Sequence, residues 1–318
     1  MKKRFHFWSI VVCIAFVLNF LFSGCRSKIE KNSTPLILAT YTYSTNNRIA
    51  NLKPLSKELA RRIDRPIEVK SYPNVQSLIK GIKSNKVDIG FINTLGYLLL
   101  SLDDMNMKPI AALKAKDSVV NNYKTVLLAS RKRVPLSLDY LQKNSETCSM
   151  TFVAEGSTSG NLIPRLFLSS IGIPFPEEQF KDVVYAGDHK ASLAKLLKGE
   201  TDICALGSNE YFKQLKKDST ISESTSLLWI SSEIPLGPVL VNKEIRESEK
   251  ENIINLLSNL HETHPEILNA VKDGWSEAKQ AEKFLPISDM HYDGFRRING
   301  NSSNLSEILD FFTSHLLD

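Results

Sequence analysis

From Thr34 onward the chain alternates short apolar runs with amphipathic segments of helix length, and this alternation limits the available folds more than any other feature. PLILATYT (35–42) reads as a strand, IANLKPLSKELARRI (49–63) as a helix, PIEVKSY (66–72) as a strand and VQSLIKGIKS (75–84) as a helix. VDIGFIN (87–93) reads as a buried strand. Strands separated by helices of about 10–15 residues imply βαβ units around a parallel sheet. MKPIAALKA and YKTVLLAS (123–130) add two strands, after which a second set begins. It runs through LSLDYLQKN (helix), SMTFVAE (strand), FKDVVYAG (180–187, strand), HKASLAKLLKG (helix) and TDICALG (201–207, strand), followed by TSLLWISS and GPVLVN (237–242). From Lys243 the tail reads as mostly helical. SLIKGIKSNKVDIGFIN (77–93) and SLAKLLKGETDICALGS (192–208) repeat helix, polar turn, Asp and buried strand in the same order. The pattern fits two similar α/β lobes, with ligand expected beyond the carboxyl ends of the strands.

The N-terminus is of a different kind. Lys2, Lys3 and Arg4 precede an apolar stretch, Phe5 to Phe22, that ends in Ser23-Gly24-Cys25. This is the layout of a secretory signal with a lipobox-like Cys, so 1–24 is expected to be removed. Cys25 would then carry lipid, and 25–33 would be an anchored linker. An uncleaved membrane anchor is the alternative. The whole chain carries 40 basic and 35 acidic residues. Without the leader, three basic residues are lost and the balance is near neutral, which argues against nucleic acid as a partner. Roughly 290 residues remain, enough for two domains. Of four cysteines, Cys148 and Cys204 stay in the body, where they read as buried free thiols rather than a disulfide framework.

One stretch carries chemistry. AEGSTSGNLIPRLF (154–167) follows a strand with Ser157, Thr158 and Ser159 packed between Gly156 and Gly160, and then turns helical. A helix N-terminus presents unpaired N–H groups and a positive dipole end; hydroxyls add neutral donors, and glycine lets an anion approach the backbone. A cap needs one hydroxyl, so three favour an anion site. Pro164, early in that helix, lacks a ladder N–H and should kink it. AGDHKAS (186–192) gives a second strand-to-helix turn, with Asp188 as cap and His189 in the first helical turn. Asp188 must cap or point away, because a free carboxylate would repel an anion. Tyr41 and Tyr43 follow the first strand, and Asn93, Thr94 and Tyr97 follow the third. No catalytic constellation or cofactor motif is evident. The serine-hydrolase elbow would place Thr158 at the nucleophile, no P-loop lysine follows a glycine, and His261-Glu262-Thr263-His264 is one residue short of a zinc-binding H-E-x-x-H. The chain is therefore read as a binding protein rather than an enzyme, without metal.

Taken in order, PLSKELARRI, KVDIGFINTLGY, STSG-N-L-I-P-R, Gly187-x-His189, GETDICAL, IPLGPVLVNKE and FLPISDMHYDGFRRI resemble the phosphonate/phosphite/phosphate-binding, PhnD-like family of periplasmic solute-binding proteins. The resemblance covers nearly the whole mature chain. It implies a type II-like two-lobed α/β fold, each lobe a mostly parallel sheet with helices on both faces, joined by crossing strands. Residues 34–125 and 236–318 would form one lobe and 126–235 the other, closing on ligand as a hinge. It also implies that Ser157, Thr158, Ser159 and the Gly160 backbone hold phosphorus oxygens with His189, while Tyr41, Tyr43, Asn93, Thr94 and Tyr97 close the other side. The acidic residues that hold an amine in aminoalkylphosphonate-binding members fall here on Asn209 and Gly237, with Glu210 and Glu233 nearby. Phosphate, phosphite or a small alkylphosphonate is thus favoured over an amine-bearing ligand, and Asn209 joins the candidate site. No dedicated arginine is expected. The implied partners are an ABC permease and its ATPase, with the monomer lipid-anchored in a bacterial envelope and facing the periplasm or exterior. The other readings are a sensory receptor for a membrane kinase and an extracytoplasmic hydrolase.

Overall fold

Leu36–Tyr41 (β1) is buried at five of its six positions, as expected of a strand with neighbours on both sides and helices on both faces. The computed structural model describes residues 34–103, 106–115, 122–132, 137–297 and 302–316; the expected leader, Cys25 and the 25–33 linker lie outside them. β1 is followed by the amphipathic helix Ile49–Ile63 (α1), the edge strand Ile67–Tyr72 (β2), Val75–Lys83 (α2), Ile89–Phe91 (β3), Thr94–Leu100 (α3) and Met107–Ala115 (β4). Thr125–Ser130 (β5), Leu138–Asn144 (α4), Ser149–Phe152 (β6), Ile163–Ser170 (α5), Pro176–Gln179 (α6) and Asp182–Tyr185 (β7) come next. His189–Lys198 (α7), Ile203–Gly207 (β8), Ser208–Lys217 (α8), Ile221–Ser224 (α9), Thr225–Ile230 (β9) and Pro238–Asn242 (β10) complete the middle. The tail holds Glu247–Thr263 (α10), Pro265–Asp273 (α11), Ala281–Pro286 (β11), Asp293–Arg297 (α12) and Ser302–Leu316 (α13).

Two sheets result, ordered β11-β4-β10-β3-β1-β2 and β7-β6-β8-β5-β9. In each, one side is parallel (β2-β1-β3 and β7-β6-β8), whereas β10, β4 and β11, and likewise β5 and β9, run antiparallel. The two-lobed α/β architecture is as expected, but the sheets are mixed rather than mostly parallel. β5 and β10 reach their sheets by crossing from the other one, not through a helical crossover, so nothing constrains them to run parallel. β11, inside the tail expected to be mostly helical, is a strand because it pairs with β4.

The internal echo has a physical basis. Asp88 accepts the Ile37 N–H (2.7 Å) at the start of the first parallel pair, and Asp202 accepts the Ser149 N–H (2.8 Å) at the start of the second. Each aspartate therefore ties the beginnings of two neighbouring strands together and sets their carboxyl ends level. Between β9 and β10 the chain returns through 231–237, where a Cβ on Gly237 would collide with the Ile92 carbonyl. That close approach explains why no acidic residue stands there. Cys148 and Cys204 are buried and form no disulfide among the described residues, and burial pushes the Cys204 thiol up to about 12.

Candidate functional site

Pro164 shapes the stretch that carries the hydroxyls. It stands near the start of α5 and has no N–H to give to the carbonyl four residues back, that of Gly160. The Gly160 carbonyl is instead taken by the Val153 N–H at the end of β6 (3.0 Å). The preceding turn, Thr158–Leu162, winds as a π-helix, with Leu162 and Ile163 N–H groups bonded to Ser157 and Thr158 carbonyls. Single π turns are common at functional sites. A side chain on Gly160 would strike Val153, so the turn sits flat on the strand only with glycine.

This turn faces the loops after β1 and β3 across a cavity of about 210 Å³. Lining it are Tyr41, Tyr43 and Arg48 from one side, Ser157, Thr158 and His189 from the other, and Asn93, Gln76, Tyr123 and Glu277 among the rest. Ser157 Oγ accepts the Gly160 N–H (3.0 Å), and Thr158 Oγ1 accepts the Leu95 N–H (3.0 Å) from α3. Both hydroxyls thus use their acceptor side on the backbone and keep a proton to donate. The Gly207 N–H donates to His189 Nδ1 (3.0 Å), which places the imidazole proton on Nε2. Burial holds His189 below its ordinary value, against the opposing charges of Glu277, Glu210 and Asp188. The ring is therefore a neutral donor. The Tyr43 hydroxyl is buried beside the His189 backbone and forms no complete hydrogen bond, and burial, reinforced by Glu277, pushes its phenol well up, so it too remains a donor.

Arg48 is the residue that sequence reading missed on the donor side. Its backbone is left-handed (φ 62°) at the cap of α1, and its side chain is 2% exposed. Nε donates to the Gly274 carbonyl (2.8 Å) and Nη1 to that of Tyr41 (3.2 Å), while the guanidinium lies 4.5 Å from the Tyr41 and Trp275 ring centroids. Among the described residues no carboxylate pairs with it. A fixed cation with no carboxylate partner among the described residues thus borders the cavity, where the sequence reading named no arginine.

The remaining candidates divide. Asn93 reaches the cavity but spends its side chain on structure, accepting the Gly96 N–H (2.9 Å) and donating to the Gly156 carbonyl across the cleft (2.8 Å). Thr94 donates to the Pro235 carbonyl (2.6 Å) and does not line the cavity. Tyr97 points behind α3, where its hydroxyl bonds Asp289 and its ring lies 4.7 Å from that of Tyr292. Ser159 is fully buried behind the turn; its Oγ, near the Tyr123 hydroxyl, forms no complete hydrogen bond. Asn209 also stays outside the lining, with a buried, unbonded Oδ1. Asp188 caps α7 through the Ala191 N–H (2.8 Å) and accepts the Ser44 hydroxyl (3.1 Å), so its charge is turned from the cavity. Glu210 bonds Lys213 and Gln214, and Glu233 bonds Asn122, and neither lines the cavity.

A cavity between the two sheets, bordered by neutral donors, one cation and two strand-to-helix turns, is suited to holding an oxyanion. Residues 38–292 match the family model of the ABC transporter phosphonate periplasmic substrate-binding protein. The chain belongs to that family. It is 26% identical to the probable phosphite-binding ABC transporter protein PhnD1 of Prochlorococcus marinus, over 56% of this chain and 59% of that protein. It is 24% identical to the phosphonates-binding periplasmic protein of Escherichia coli, over 93% and 87%. The solved structure of PhnD1 from Prochlorococcus marinus in complex with methylphosphonate shares the fold at a TM-score of 0.64 and 19% identity, covering 85% of this chain and 98% of that one. The curated relatives are substrate-binding proteins, and periplasmic membership implies an extracytoplasmic location. Ser157 and Thr158 oxygens accept backbone N–H groups, and among the described residues no base is bonded to either.

Proposed function

We propose that this protein captures a phosphonate, phosphite or phosphate-like oxyanion in the cavity between its sheets and delivers it to an ABC permease and its ATPase. It does so as a monomer held to a bacterial membrane by lipid on Cys25. Residues 34–125 with 236–318 act as one lobe and 126–235 as the other, hinged at the crossings. The observation that carries this reading is the set of donors around one cavity: the Ser157 and Thr158 hydroxyls, His189 Nε2–H and the Tyr43 hydroxyl, with the charge of the Arg48 guanidinium, whose Nε and Nη1 are spent on backbone carbonyls, beside them. A pocket of donors with one cation answers an oxyanion by geometry, and exclusion of water strengthens each bond.

Titration calorimetry against phosphate, phosphite and methylphosphonate tests it. One of the three is expected to bind tightly. Thr158→Val should weaken that binding about tenfold or more, the loss expected for a charge-assisted hydrogen bond, while Thr158→Ser retains most of it. Unchanged affinity in the valine variant would remove Thr158 from the site.

A further inference from the structure

Two carboxylates also line the cavity of oxyanion donors, the exposed Glu155 and the half-buried Glu277. Glu277 comes from a 3-10 turn, Ser276–Ala278, more than two hundred residues from the first-strand loop it faces. It accepts a hydrogen bond from the neighbouring Ser276 hydroxyl (3.3 Å), and among the described residues no Lys, Arg or His nitrogen comes within ion-pair distance of it. It borders two compartments: the donor-lined cavity, and a smaller apolar one formed by residues such as Phe91, Leu236, Trp275 and Phe284. Its charge is felt by Tyr41, Tyr43, Tyr123 and His189, so the carboxylate lies amid the groups around the cavity.

A carboxylate facing an anion is repulsive unless the ligand brings a proton between them. Ionised, it only accepts hydrogen bonds. The Tyr43 hydroxyl, although buried close by, is not bonded to it, so the acceptor is left for a ligand. We infer that Glu277 is a specificity-determining residue, whose carboxylate admits oxyanions that carry a hydrogen-bond donor beside the anionic oxygens and rejects those that carry none. This rests on the phosphonate reading of the same cavity and adds to it. Near neutral pH a phosphonate monoanion retains a P–OH, and an aminoalkylphosphonate carries an ammonium; both present the required proton. An alkylsulfonate of the same shape and charge has neither. Arg48 and the neutral donors would hold it equally well, and because Glu155, the other carboxylate on the cavity wall, is exposed to solvent, Glu277 is the one that separates the two classes.

The test is calorimetric titration of the full-length protein in detergent at pH 7 with methylphosphonate, methanesulfonate and 2-aminoethylphosphonate, repeated on Glu277→Gln. Wild type should prefer methylphosphonate to methanesulfonate by about a hundredfold, and the glutamine variant, which can donate as well as accept, should reduce that ratio by about tenfold or more. If instead the variant weakens only 2-aminoethylphosphonate, Glu277 still receives the ligand donor, and that donor is the ammonium. The wild-type series is informative even if the variant folds poorly. Wild-type binding of methanesulfonate within about threefold of both phosphonates would overturn the inference, as would a variant unchanged toward all three. Failure of wild type to bind either phosphonate would overturn this inference, whereas the oxyanion reading of the cavity would fall only if phosphate and phosphite failed to bind as well.

Discussion

His189 shows how one backbone bond sets a side chain's chemistry. Because the Gly207 N–H occupies Nδ1, a proton added to the ring would break that bond as well as charge a buried group. Burial therefore depresses the folded value below the ordinary 6.5. The unfolded chain then binds the proton more readily, so this residue's contribution is present above pH 6.5 and is lost as pH falls toward the folded value. We predict that urea unfolding of wild type between pH 7 and pH 5 shows a decline in stability that His189→Gln makes shallower, by up to about 1.4 kcal/mol per pH unit. Parallel curves for the two proteins would remove His189 as the source. At this scale the sequence was partly readable. Ser157, Thr158 and His189 lie within short segments whose spacing puts them at helix starts, and the fold brings them together. Arg48 and Glu277 escaped because neither has a local signature: one depends on a left-handed cap, the other on a turn delivered by the tail. Thr94 and Tyr97 were assigned to the right loop but turn inward, since Asn93 caps α3 and its following residues are all buried.

Elements owe their form to competition for backbone partners. The helix after STSG opens as a π turn because Pro164 frees the Gly160 carbonyl for Val153. Pro164→Ala restores a competing N–H and should draw the turn toward regular α-helix, moving the Ser157 and Thr158 hydroxyls relative to His189. We expect phosphonate affinity to fall by roughly tenfold, the cost of misplacing one charge-assisted bond. Thermal stability should stay within a few degrees, because proline near a helix start costs little to keep or remove. Equal affinity in calorimetry would show that the π turn is not what positions the hydroxyls. Most helices and strands were legible from periodicity alone, α1 to the residue. β11 was not: AEKFLP is polar enough to pass for helical tail, and its strand form comes from the pairing with β4, a contact no local window contains. The antiparallel strands share that cause, since direction in a mixed sheet is set by where the chain crosses.

At the level of the whole molecule, the tail helix α13 unites the two sheets' helices in one core. Leu305, Ile308, Leu309 and Phe312 pack with Leu95, Leu98 and Leu99 of α3, which follows the first sheet, and with Ile163 and Leu166 of α5, which follows the second. Arg165, 2% exposed, pairs with Glu177 and places its guanidinium 4.8 Å from the Phe311 ring centroid, extending the contact to the second side. Burial of four large apolar side chains contributes on the order of 1.5–3 kcal/mol each, as an upper estimate. Because this surface lies between helices of both sheets, it stabilises their approach as well as the fold. A chain ending before Ser302 should therefore melt about 10 °C lower or more, at roughly 2–4 °C per kcal/mol for a chain this size. It should also bind phosphonate more weakly, since part of the ligand's binding energy would go into bringing the two sides together. Phe312→Ala, costing about 3–5 kcal/mol, should reproduce both effects in smaller measure. A truncated protein with lowered melting temperature but wild-type affinity would limit α13 to holding the fold. An unchanged melting temperature would show that its apolar face contributes nothing to either.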